Sequence, residues 1–106
     1  MTDDILKQFD EAEVKYTESK KKLRDAKDMY EFVKAKQRII IRTKLAGKKF
    51  TLQEVDDTLI VVQADLKSEL GKAFLDYTIA LAQKEVLYTE KKRLERAYWD
   101  SKGLLT

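Results

Sequence analysis

With 106 residues, no proline, cysteine or histidine, only three glycines and 39% charged residues, the chain is one domain at most. The absence of histidine removes the usual acid/base group and the commonest metal ligand, and the absence of cysteine removes thiolate chemistry, zinc clusters and disulfides. A non-enzymatic role is therefore expected, with no cofactor, no metal and no small-molecule substrate. The net charge is a modest +3, but its sign alternates along the chain: −4 over residues 1–13, +2 over 14–31, +7 over 32–52, −4 over 53–69 and +2 over 84–106. Apolar residues are too abundant, at 43%, for disorder, and their runs are far too short to span a bilayer. The opening Met-Thr-Asp-Asp-Ile has none of the basic and apolar character of an export signal, so a cytoplasmic protein with no membrane partner is expected.

From Ile5, apolar or small residues recur at alternating spacings of four and three: Ile5, Phe9, Ala12, Tyr16, Ser19, Leu23, Ala26, Tyr30, Val33, Gln37 and Ile40. A stripe of this period keeps one narrow face toward a partner helix, which predicts a helix over about 3–45 packed lengthwise on another. Leu45-Ala46-Gly47 reads as its end, with glycine where positive φ is needed, and 46–50 reads as a turn. Thr51-Leu-Gln-Glu54 is a capping box, flanked by Phe50 and Val55 at hydrophobic-staple positions, so the next helix begins at Leu52. So short a connection makes the two helices antiparallel neighbours.

The second helical region, about 51–101, carries one stripe at Leu52, Val55, Leu59 and Val62. Another runs Leu66, Leu70, Ala73, Tyr77, Ala80, Lys84, Leu87, Lys91, Leu94 and Tyr98. The extra four-residue step where they join unwinds a coil locally, and Gly71 follows, so a bend or break is expected between 62 and 72 that divides this region into two helices. The fold class is thus all-α, an antiparallel coiled-coil-like helical hairpin. A register pairing Tyr16 with Ala80, Leu23 with Ala73 and Phe9 with Leu87 sets large residues against small ones along most of the seam. In that register Tyr98 and Trp99 overhang the start of the first helix, as a cap or an aromatic anchor for a partner.

An alternative reading takes 38–45 and 49–53 as two strands at the tip of the helices, with Ile39, Ile41, Thr43 and Leu45 on one face. That outline resembles the prefoldin β-type subunit and implies a chaperone-like role.

One hairpin cannot bury all the apolar residues that remain. Phe74, Leu81 and Tyr88 lie a heptad apart beside the seam, and Leu75, Ile79, Ala82 and Val86 form a stripe nearly opposite it. Met29, Phe32 and Ile39 add to the excess. A helix apolar on two sides calls for cover from outside, which predicts a homodimer or larger bundle and a face for another protein. The candidate for nucleic acid is the run Lys34, Lys36, Arg38, Arg42, Lys44, Lys48 and Lys49, seven cations in sixteen residues with no acid between them. The opposing explanation is that Glu54, Asp56, Asp57 and Asp65 neutralise part of the run across the hairpin. Lys20-Lys21-Lys22 and Lys91-Lys92-Arg93 read as solvated helix faces.

The long charged helices, the Gly-Lys-Lys-Phe-Thr connection and the ending Lys-Lys-Arg-Leu-Glu-Arg-Ala-Tyr-Trp resemble small accessory proteins encoded by tailed bacteriophages and prophages. The resemblance implies action by binding, to host or defence machinery or to replication and recombination complexes. It transfers no functional residue.

Overall fold

A computed structural model describes residues 2–103 of the chain. Three helices account for nearly all of them: α1 (Thr2–Lys44), α2 (Leu52–Ala64) and α3 (Glu69–Ser101). The fold is an all-α helical hairpin in which α1 packs antiparallel to α3, and the described residues contain no strand. The strand-hairpin alternative is therefore overturned, and the outline behind the prefoldin resemblance goes with it. Residues 38–44 complete α1 instead, because Ile40 and Ile41 continue its buried stripe.

The termini of the helices follow from local chemistry. Asp3 and Asp4 sit in the first turn of α1 and Arg42 and Lys44 in its last, each favourable to the helix dipole. Gly47 has φ of +83°, a conformation that only glycine adopts freely, and it turns the chain out of α1. The Thr51 hydroxyl accepts the Glu54 amide at 3.2 Å and caps α2.

The break falls within the expected interval, at residues 65–68. Asp65 leaves the helical conformation, and its carboxylate accepts the Lys67 amide at 3.0 Å. The Ser68 hydroxyl accepts the Gly71 amide at 2.9 Å, as an N-cap of α3, and donates back toward the carbonyls of Val62 and Asp65 at 2.7 Å. Gly71 is buried against this turn, where a Cβ would run into the Asp65 carbonyl, so glycine is required by the close approach of two backbone segments.

The eleven stripe positions of α1, from Ile5 to Ile40, are all buried or half-buried, as are the nine of α3 from Leu70 to Tyr98. In the α2 stripe Val55 and Leu59 are buried and Val62 half-buried, but Leu52, in the first turn of α2, is 68% exposed, and Leu66, in the turn between helices, is 61% exposed.

By their internal packing the residues form two compact units, one holding residues up to Arg24 and from Ala80 onward, the other holding Asp25–Ile79. In the second unit three helices stand abreast. Tyr30 of α1 touches Gln63 of α2, through a hydrogen bond of 2.5 Å, and also Phe74 and Tyr77 of α3, with ring centroids 5.4 and 5.7 Å away. In one uninterrupted helix residues 63 and 74 would lie about 16 Å apart. Both reach the same side chain because the break sets the start of α3 beside α2. Val33, Ile41, Val55, Leu59, Leu70 and Ala73 form the resulting core, with Tyr30, Leu45 and Val62 packed against it.

In the first unit α1 and α3 pair alone. Its buried residues are Ala12, Ser19, Ala80 and Leu94, three of them small. Ser19 satisfies its hydroxyl on the Tyr16 carbonyl at 2.6 Å. Aromatic rings do the rest: Phe9 stacks on Tyr98 at 6.3 Å, and Tyr16 meets Tyr88 at 5.5 Å. The ammonium groups of Lys20 and Lys91 lie 4.9 and 5.1 Å from the Tyr16 ring centre, and Lys91 is 4.0 Å from Glu13.

These contacts correct the register read from the sequence. Tyr16 faces Tyr88, eight residues beyond the Ala80 expected, and Phe9 faces Tyr98, eleven beyond Leu87. The break is the cause. A single register cannot serve α2 and α3 when the start of α3 is set back beside α2, so every α3 partner of α1 lies further along the chain. Tyr98 consequently does not overhang α1.

Candidate functional site

The basic segment lies wholly in the three-helix unit, and its seven cations divide into three groups. Lys36 pairs with Glu69 at 3.1 Å and Arg38 with Asp56 at 3.3 Å, both in exposed settings where an ion pair adds little stability. Lys34 is half-buried, with its ammonium 5.8 Å from the Tyr30 ring centre. Arg42, Lys44, Lys48 and Lys49 are exposed, and among the described residues none of these four forms an ion pair. Two acids of the stretch 53–69 thus pair with the second and third cations of the run, and four cations remain around the α1–α2 turn. Asp57, which the sequence set against them, instead accepts a hydrogen bond from Gln53 at 2.8 Å.

The apolar candidates on α3 separate into two kinds. Leu81 is half-buried, while Phe74 and Tyr88, 37% and 43% exposed, lay their rings against Tyr30 and Tyr16. These three widen the seam. Leu75 and Ile79 in the three-helix unit, and Ala82 and Val86 in the two-helix unit, are exposed. Tyr98 packs between Phe9 and Trp99, whose ring meets it edge-on at 5.2 Å, and Trp99 itself is 38% exposed.

Further exposed apolar side chains lie outside the expected faces. Ile60 and Val61 project from α2, at 66% and 70% exposure. The signal was present: Leu59-Ile-Val-Val62 is a run of four apolar residues, and a helix touching its neighbours along one side buries only part of such a run. Val14 on α1 is likewise exposed.

The two-helix unit also carries a groove of about 510 Å³ between α1 and α3. Ala82, Val86 and Leu87 give it an apolar floor, and Lys15, Glu18 and Lys22 form its charged rim. Of the rim residues, Lys22 was read in the sequence as part of a solvated helix face, and Lys15 and Glu18 were not singled out.

Three groups titrate away from their ordinary values. Burial, and secondarily the neighbouring Tyr77 hydroxyl, pushes the Tyr30 phenol above its usual value. The Arg93 hydrogen bond holds the Glu90 carboxyl below its usual value, and the same bond raises the Arg93 guanidinium. Glu90 and Arg93 form an i, i+3 pair at 2.6 Å on the surface of α3. Among the described residues no group of three or more acidic side chains converges to hold a metal ion, and no helix is long and apolar enough to cross a membrane. No protein-family model, no curated protein and no solved structure matches the chain.

Proposed function

We propose that the chain is a non-enzymatic interaction module that associates with itself and occupies the surface of another protein, in the manner of small phage and prophage accessory proteins. The observation that carries this reading is the exposure of large apolar side chains on regular helices: Phe32 65%, Ile39 66%, Val61 70% and Val86 68%. Single exposed apolar residues are ordinary, but this many on three short faces favour a covering partner. A chain without histidine or cysteine, and with its few perturbed groups scattered, supports action by occupancy over turnover. The setting this implies is the cytoplasm, that of a host cell if the protein is phage-encoded. Light scattering at micromolar concentration tests the reading: a dimer or larger species is expected, and a monomeric mass overturns self-association.

A second reading is favoured by the four unpaired cations at the α1–α2 turn. Arg42, Lys44, Lys48 and Lys49, with Lys34, Lys36 and Arg38 behind them, form a surface suited to a phosphate backbone. Electrophoretic mobility shifts against single- and double-stranded DNA over a salt series decide it. Binding that weakens steeply with salt supports the reading, and no binding at low salt overturns it, because phosphate contacts are strongest there.

A further inference from the structure

The cations left without an ion pair at the α1–α2 turn are spread round the tip of the three-helix unit. Arg42 and Lys44 stand about 200° apart on the last turn of α1, so they occupy opposite flanks of it. Lys48 and Lys49 follow in the turn, past Gly47. The four therefore form no row along one helix face. The acids nearest in the chain are Glu54, Asp56 and Asp57, at the start of α2. Asp56 faces α1, because it bonds Arg38. Glu54 lies about 160° round α2 from Asp56, so it faces away from Arg38 and from Arg42 one turn further along α1. Asp57 accepts a hydrogen bond from Gln53. Beside Lys49 stands Phe50, 37% exposed, whose ring meets no other ring and no lysine among the described residues.

We infer that this tip takes a single nucleic-acid strand in preference to a duplex, with phosphates on Arg42, Lys44, Lys48 and Lys49 and a base stacked on Phe50. Two magnitudes separate the forms. Side by side, α1 and α2 are roughly 20 Å across, too broad to enter a major groove about 12 Å wide, so a duplex offers the tip only its phosphates. A duplex is also stiff over about 150 base pairs, and it does not curl round so narrow a tip to meet cations on opposite flanks. A single strand bends within a few nucleotides and leaves its bases open. Stacking of those bases on an aromatic side chain is what sequence-tolerant single-strand sites add to their charge, at about 1–3 kcal/mol per base, or roughly five- to 150-fold in affinity.

The inference rests on the nucleic-acid reading above, and the test separates the two. Fluorescence anisotropy at low salt compares a labelled, unstructured mixed-sequence strand with the duplex it forms with its complement. The single strand is expected to bind the parent chain about tenfold more tightly. Phe50→Leu keeps an apolar side chain beside the α2 cap and Phe50→Tyr keeps a ring; both are checked for helicity by circular dichroism. Phe50→Leu should lose about tenfold on the single strand and little on the duplex, while Phe50→Tyr should bind like the parent. Lys49→Ala should weaken both and lower the salt slope on the single strand by about 0.7, whereas Lys21→Ala, an exposed lysine of the two-helix unit, should change neither. No binding of either form at low salt overturns the nucleic-acid reading and this inference together. Duplex binding as tight as the single strand's overturns the inference alone. So does a Phe50→Leu variant that keeps the parent's single-strand affinity, a Phe50→Tyr variant that loses as much as Phe50→Leu, or a Lys21→Ala variant weakened as much as Lys49→Ala.

Discussion

The same two helices, α1 and α3, are stabilised by different means in the two units. Where α2 joins them, branched and large aliphatic side chains from three helices close into a contiguous core, and Leu70, Val33 and Val55 are almost wholly buried. Where they pair alone, the buried positions are mostly alanine and serine, and paired aromatic rings with lysines over their faces cover the flanks. Two cylinders touch only along a line, so a two-helix seam hides small residues completely and large ones in part. A third helix is what turns a seam into an interior. The break at 65–68 creates the core, since it brings α2 and α3 side by side on α1.

The largest effect that tests this contrast is expected from truncating one leucine in each unit. Leu70→Ala in the three-helix core should cost about 2–5 kcal/mol, the range for a cavity that cannot collapse. Leu94→Ala, in the two-helix seam, should cost markedly less, because solvent and neighbouring side chains fill the space. Urea denaturation of both variants measures the difference, and equal losses would break the distinction between the units.

Gly71→Ala comes next. The added Cβ meets the Asp65 carbonyl, so the turn and the first turn of α3 must separate, at a cost of about 1–3 kcal/mol typical of overpacking. An alanine in an open helix stabilises relative to glycine, so the sign of the change in melting temperature decides whether the close approach exists.

The smallest effect concerns pH. Burial and Tyr77 raise the Tyr30 phenol, so the folded state holds this proton more tightly than the unfolded state. The associated stability is fully present below the unfolded value near 10 and is lost as pH rises through the raised folded value. Spectrophotometric titration should find a tyrosine component that ionises late, and Tyr30→Phe should remove that component. A late component that survives Tyr30→Phe places the perturbed phenol elsewhere and weakens the account of Tyr30 as the residue shared by three helices.

The sequence alone determined the helices, their buried stripes and most of their ends. These are local matters: Gly47 and the Thr51 cap act through their own backbone, and a stripe of period 3.5 is written directly in residue order. The interval of the break was legible too, from the extra step between Val62 and Leu66. Only the tertiary structure decided how far the break sets α3 back, and with that the register, the partners of Tyr16 and Phe9, and the place of Tyr98. A break can be located from spacing, but its angle depends on how Ser68, Asp65 and Gly71 pack in three dimensions. The tertiary structure likewise decided which cations of the 34–49 run are spent on carboxylates and which apolar side chains stay exposed. Charge in a segment and apolar residues on a helix can be counted in one dimension, whereas pairing and burial depend on which neighbour the fold brings within reach.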